Sequence, residues 1–179
     1  MASLAVINIG AIVSGDLAQP ALDGVCVLVE NGKSSSIGGS DELNGNTADT
    51  VFDGSGATVL PGLIDSHFHV AIGDYQPRQK VVDFIGSYVH GGVTSMISAG
   101  EIHTPGRPND AAGVKALAII AQRSFSVLHP DGAKVHAGAV VLEPTLKEKD
   151  FEELAAEGIW LAKFGFGNYR DPYDGEPQI

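Results

Sequence analysis

Hydrophobic positions divide the chain into two rhythms. Over residues 1–58, apolar runs of two to five residues alternate with glycine and polar turn residues: Leu4-Ala5-Val6-Ile7, Ala11-Ile12-Val13, the run at 25–30, Ser36-Ile37-Gly38 and Thr50-Val51-Phe52. Asn31-Gly32 follows the strongest of these runs and is a two-residue hairpin signal. Asp53-Gly54-Ser55-Gly56 is a turn cluster. This part reads as a small antiparallel β unit, residues 1–58.

From residue 59 the pattern changes to strand, helix, strand, helix. The apolar run TVLPGLID is broken by Pro61-Gly62. Residues 78–90 carry Val81, Ile85 and Tyr88 on one helical stripe, with Gly91-Gly92 as a stop. A short strand follows at 93–98. Asn109 or Asp110 caps a helix whose Val114, Leu117, Ala118 and Ala121 fall at i, i+3, i+4 and i+7. Residues 134–141 form the next strand. Thr145-Leu146-Lys147-Glu148 fits a capping box, and Phe151, Leu154 and Ala155 form the buried stripe of the helix behind it. Gly158 fits a helix C′ position, and residues 158–163 read as a fourth strand. Strands joined by helical crossovers pair in parallel. Four such strands in the order 1-2-3-4 suit an open α/β sheet or the first half of a (β/α)8 barrel. No G-x-G-x-x-G follows the first strand, which removes the main support for dinucleotide binding.

Composition narrows the classes further. The 179 residues carry a formal net charge of −11, from 11 Lys and Arg against 22 Asp and Glu. The sequence pI is about 4.7. Such a surface repels phosphate backbones and anionic lipid, so no nucleic-acid or membrane partner is expected. The single cysteine, Cys26, forms no internal disulfide and no cysteine-rich zinc site, and suits a reducing, cytoplasmic compartment. The first residues lack a signal-peptide pattern, and no 18-residue apolar run is present.

The segment Leu60-Pro61-Gly62-Leu63-Ile64-Asp65-Ser66-His67-Phe68-His69 carries the densest chemistry. His67 and His69 lie at i and i+2, so period-two geometry points both imidazoles to one face of a strand end. Two converging imidazoles suit a divalent metal; the plainer alternative is a pair of half-exposed loop histidines. Lys163 closes an apolar strand. It is either a cation snorkelling to solvent or a deprotonated amine that takes up carbon dioxide and becomes a carbamate. Glu101 and His103 follow the second strand, and Tyr75, Arg78 and Arg107 lie in or near the first two strand–helix loops. These five are candidate substrate contacts, with solvated loop positions as the alternative. His90 ends a helix, His129 precedes Pro130, and His136 lies within the third strand as a packed residue. No G-x-S-x-G elbow is present, so nucleophilic serine catalysis has no support.

The β-rich start, then PGLIDSHFH, then the βα units resemble the metal-dependent amidohydrolase superfamily. The stretches GDYQPRQKVVDFI, HGGVTSMISAGEIHTPGRPNDAAGVKALAI and EGIWLAKFGFG are similar to a narrower group within it. The resemblance covers essentially the whole chain. It implies the first half of a TIM-like (β/α)8 barrel in residues 59–179, preceded by a β-sandwich segment in residues 1–58. It implies hydrolysis of a C–N bond in a small, often cyclic amide, with one or two divalent ions, zinc or iron. His67 and His69 would be first-strand metal ligands and Lys163 the bridging ligand at the end of the fourth strand. Two further histidine ligands and a proton-shuttling aspartate are expected beyond residue 179, so no catalytic acid or base is assigned within the chain. The chain is expected to be an N-terminal portion, inactive alone, of a homo-oligomeric enzyme. A half-barrel binding module is the alternative from another functional class.

Overall fold

The computed structural model describes residues 2–39, 48–70, 81–102, 104 and 106–165. Two compact units are present, Met1–Pro61 and Gly62–Ile179. The division falls after Pro61 and not at 58/59, because Thr58–Val59 is itself a strand of the first unit.

Among the described residues, the first unit holds seven short strands: β1 (Ser3–Ile7), β2 (Ala11–Val13), β3 (Ala21–Leu22), β4 (Cys26–Glu30), β5 (Lys33–Gly38), β6 (Thr50–Asp53) and β7 (Thr58–Val59). They form two sheets, ordered β5-β4-β1-β6 and β3-β2-β7. The expected all-antiparallel unit is corrected here: β1 pairs with β6, and β2 with β7, in parallel. These pairings join segments about 46 residues apart, which local pattern does not encode. Ile12, Leu22 and Val59 of one sheet pack with Val6, Val27 and Val29 of the other and with Ile9, giving a small sandwich. Asn31-Gly32 behaves as its sequence demands. Glu30 pairs with Lys33, and both turn residues have positive φ, 53° and 75°, the type I′ arrangement that matches strand twist.

The second unit begins with β8 (Leu63–Phe68) and proceeds through α1 (Val81–His90), β9 (Val93–Ser98), α2 (Ala111–Phe125), β10 (Lys134–His136), β11 (Ala139–Val141), α3 (Glu148–Ala156) and β12 (Leu161–Lys163). A 3-10 turn at Pro130–Gly132 precedes β10. All pairings are parallel: β8 with β9, β9 with β10, and β11 with β12. The strand expected over 134–141 is interrupted at Ala137-Gly138, so its first half pairs with β9 and its second with β12. At Gly138 the backbone passes so close to its cover that a Cβ would stand 2.7 Å from Gln122 Cβ and 2.8 Å from Ile159 Cγ1.

Helices cover the strands through two apolar clusters. Ile85 of α1 and Ala121 and Phe125 of α2 pack on Phe68, Met96 and Val135. Val114 and Ala118 of α2 and Leu154 of α3 pack on Val140, Leu146 and Ile159. Asp110 is the cap of α2, and its carboxylate accepts from the Gly113 N–H at 2.9 Å. The capping box at Thr145–Glu148 is corrected. The first residue of α3 is Glu148, Asp150 accepts from the Lys147 N–H at 2.8 Å, and Thr145 Oγ1 donates instead to the Asn109 carbonyl. Ala155 is exposed, so the buried stripe of α3 narrows to Leu154 with half-buried Phe151. Among the described residues, no helix is long and apolar enough to cross a membrane.

Ion pairs tie α2 to α3. Lys115 Nζ lies 2.6 Å from Asp150 Oδ1 and 2.5 Å from Glu153 Oε2, and Arg123 forks Glu157. The Lys115 hydrogen bond, helped by the Lys147 N–H, holds the Asp150 carboxyl below its ordinary range, and Lys115 does the same for Glu153. A carboxyl with a lower pKa when folded contributes stability above its unfolded value, and that contribution is lost as pH falls through the folded value. Lys115→Met is therefore expected to flatten the fall of Tm between about pH 5 and pH 2, most visibly at low salt. An unchanged pH profile in thermal melts would show that the pairs contribute nothing.

Among the described residues β8 and β12 are edge strands, each paired on one side only. Leu63 and Ile64 on β8 are 51% and 66% exposed, and Trp160 beside β12 is 63% exposed. Unpaired edges flanked by apolar side chains favour association. The 179-residue chain on its own is expected to self-associate at micromolar concentration in sedimentation velocity; a monomer with a sharp two-state melt would contradict this.

Candidate metal and substrate site

The parallel strands of the second unit end along one rim, and the candidate residues gather there. In β8 the register against β9 slips: Asp65 faces Met96, but Phe68 faces Ser98, so one extra residue is accommodated on β8. Such a bulge re-aims side chains. It is fastened locally, because the Asp65 carboxylate accepts the His67 N–H at 2.8 Å. Beyond it Phe68 and Val70 turn into the core, while His67 is exposed and His69 half-buried. The two imidazoles meet edge to face, with ring centroids 5.0 Å apart at 72°.

Lys163 ends β12 at the same rim. A groove of about 320 Å³ is lined by Ser66 and His67 from β8, by Ile97, Ser98 and Ala99 from β9 and its exit, by Ala139, and by residues 161–164 including Lys163. His67 and Lys163 thus line one space. The small side chains on its floor keep it open. Lys163 is half-buried, and its carbonyl accepts the Leu142 N–H at 2.9 Å. Two imidazoles in ring contact, one of them lining the groove with Lys163, are a donor set that fits part of a divalent-metal shell. Among the described residues, no three His, Cys, Asp or Glu side chains converge on one point.

Glu101 and Arg107 are placed differently from the sequence expectation. Neither is a solvated loop residue, and neither is among the residues lining the groove. Glu101 is 3% exposed, and the Arg107 guanidinium grips both its oxygens, Nε to Oε2 at 3.0 Å and Nη2 to Oε1 at 3.1 Å. Arg107 Nη1 also donates to Glu143 Oε1 at 2.5 Å, and Glu143 is fully buried. Glu101 Oε1 accepts the Val141 N–H as well, at 2.8 Å. Burial works against the Arg107 charge, but the two carboxylates outweigh it and raise its pKa further. Glu143 was not flagged by the sequence pattern. Its signal was a carboxylate closing the apolar run Ala139-Val140-Val141-Leu142, where burial demands a partner. Tyr75, Arg78 and His103 lie outside the described residues.

The remaining histidines sit away from the groove lining. His90 ends α1, and His129 precedes the Pro130 turn. His136 packs edge to face on Trp160 at 5.7 Å. Burial, with Lys134 adding to it, pushes its pKa below the ordinary imidazole value.

No protein-family model matches the chain. Enamidase from Eubacterium barkeri is 50% identical over 173 residues, 96% of this chain and 45% of that protein. Adenine deaminase 2 from Shouchella clausii is 33% identical over 91 residues, and an imidazolonepropionase from Mycolicibacterium smegmatis 30% over 108. These alignments cover 51% and 55% of this chain, and 15% and 26% of the two relatives. The crystal structure of enamidase, described as a new member of the amidohydrolase superfamily, superposes with a TM-score of 0.89 over 99% of this chain and 46% of that one. A triazine hydrolase shares the fold at 14% identity, with a TM-score of 0.54 over 92% of this chain and 53% of its own. The chain spans less than half the length of the curated relatives it matches. In sequence and in fold the chain is similar, over almost its whole length, to the N-terminal portion of enamidase, a member of the amidohydrolase superfamily.

Proposed function

We propose that this chain supplies the N-terminal metal-binding half of a hydrolase that opens a C–N bond in a small cyclic amide. The observation that carries the proposal is the shared groove, with His67 and Lys163 on its walls and His69 in ring contact with His67, at the C-terminal ends of parallel strands. Barrel enzymes place their chemistry at that end. The similarity to enamidase supports a specific reaction, hydrolysis of 6-oxo-1,4,5,6-tetrahydronicotinate to 2-formylglutarate and ammonia. The shorter matches to adenine deaminase and imidazolonepropionase support the broader alternative of another ring C–N bond. Turnover of a panel of cyclic amides and aminopurines by a full-length enzyme containing this sequence separates the two.

His67 and His69 would hold a divalent ion, zinc or iron, through neutral imidazole nitrogens. Such an ion supplies Lewis acidity toward the amide carbonyl and toward water. Lys163 would contribute as a carbamate. As a neutral amine it would attack carbon dioxide through the nitrogen lone pair and lose a proton to solvent, and the product would be an anionic oxygen donor for a divalent ion. The apolar and small side chains of the groove admit a small ring and limit bulk water. The acidic charge and the single buried cysteine support a cytoplasmic enzyme, and we read it as a homo-oligomer acting on small molecules, without nucleic-acid or membrane partners.

Two outcomes test these roles in the full-length enzyme. His67→Ala and His69→Ala should each lower bound metal at least tenfold at limiting supply, read by elemental analysis of the purified protein; unchanged content would remove both from the ligand set. Lys163→Ala should lose most activity and regain part of it with added formate or acetate, whereas Lys163→Arg should stay inactive despite its charge, because guanidinium does not deprotonate to form a carbamate. Normal activity and metal content with Arg at position 163 would leave Lys163 a strand-end cation.

A further inference from the structure

The Glu101–Arg107–Glu143 cluster lies outside the groove lining and has no part in the chemistry proposed above. Its connections point back to the groove. Glu101 sits three residues beyond β9, Arg107 in the loop leading to α2, and Glu143 two residues beyond β11. One guanidinium therefore joins three segments of the rim by three charge-assisted hydrogen bonds. Glu101 adds a fourth link by accepting the N–H of Val141, the last residue of β11.

Val141 is the residue paired with Lys163 in the β11–β12 ladder. The next N–H, that of Leu142, donates to the Lys163 carbonyl. On the other side, the loop's first turn lies against the lysine itself: a Cβ on Gly100 would stand 3.4 Å from Val141 Cγ2 and 3.7 Å from Lys163 Cδ. Ser98, which lines the groove, donates its hydroxyl to the Gly100 carbonyl at 2.5 Å. A path of bonded groups thus runs from Arg107 through Glu101 and Val141 to the backbone of Lys163, and Gly100, the residue before Glu101, stands close to its stem.

Charge balance sets what this cluster does. Two carboxylates share one guanidinium and engage three of its five N–H groups, so Arg107 is a poor receptor for an anionic substrate. Removing one partner of a buried ion pair strands the other, which is strongly destabilising locally. We infer that Arg107 is a positioning residue: by clamping Glu101 and Glu143 it fixes the exits of β9 and β11, and through them the height and direction of Lys163 in the groove. Lysine offers a point charge in place of the planar fork, so it does not replace Arg107 here.

The groove's role in catalysis rests on the function proposed above, but the readouts below do not, so the two can fail separately. In the intact protein, Arg107→Ala should speed amide hydrogen exchange at Val141 and Leu142 at least tenfold. Acetylation of Lys163 by a water-soluble succinimidyl ester, followed by mass spectrometry, should rise severalfold relative to Lys115 and Lys134. Exchange in β1 and β4 should stay unchanged. Millimolar methylguanidinium should reverse both effects and methylammonium should not, because only the former restores a fork between two carboxylates. Arg107→Lys should behave like Arg107→Ala. Glu143→Gln, which keeps shape and one acceptor oxygen, should shift the same amides in the same direction by less, and it carries the test if Arg107→Ala does not fold. Unchanged exchange and labelling in the folded variants, or equal acceleration at every lysine and amide, would overturn the positioning role.

Discussion

Parallel pairing is the constraint on which the second unit depends. A parallel neighbour can be reached only by crossing back over the sheet, and each crossing here is made by a helix with one apolar stripe. The helices consequently cover one face, and the strands all finish on one rim. Residues nearly a hundred positions apart, His67 and Lys163, come to share a groove without any direct bond being needed to draw them together. The chemistry of the rim is therefore a product of the packing beneath it. Phe68 and Met96 under α1 and α2, and Val140 packed with Val114 of α2 and Leu154 of α3, locate the two sides of the groove.

Much of this was legible in the sequence because the signals are local. The period-two spacing of His67 and His69 anticipates two rings on one side, and the strand at 93–98 and the helix from 111 have the expected bounds. Asn31-Gly32 specifies its own turn through two residues that tolerate positive φ. The chemical identity of the rim was accessible mainly through the resemblance carried by PGLIDSHFH and the longer stretches.

What escaped the sequence is what depends on distant partners. The parallel pairings of β1 with β6 and of β2 with β7 follow from the sandwich core and leave no local mark. The bulge in β8 needs the Asp65 side chain to replace a ladder partner, which simple alternation does not reveal. Glu101 and Arg107 read as candidate substrate contacts or solvated loop positions, because Glu143, the second carboxylate on the same guanidinium, lies 36 residues beyond Arg107. At α3, Thr145 and Glu148 match a capping pattern, yet Asp150 makes the reciprocal bond and Thr145 is drawn to Asn109 across the loop.

The interruption at Ala137-Gly138 carries a consequence for how this sequence can change. The glycine backbone lies against Gln122 of the neighbouring helix and against Ile159 just ahead of the last strand, with less than a normal contact distance left for any added carbon. No single exchange at 138 is neutral, since even alanine must displace two other side chains at once. Trimming the neighbours gives little relief, because the Cβ of residue 122 stays with any residue but glycine, and shortening Ile159 opens a void in a packed layer. Position 138 is thereby closed to every side chain while the helix backbone at 122 stays where it is, and a library randomising it will return mainly glycine.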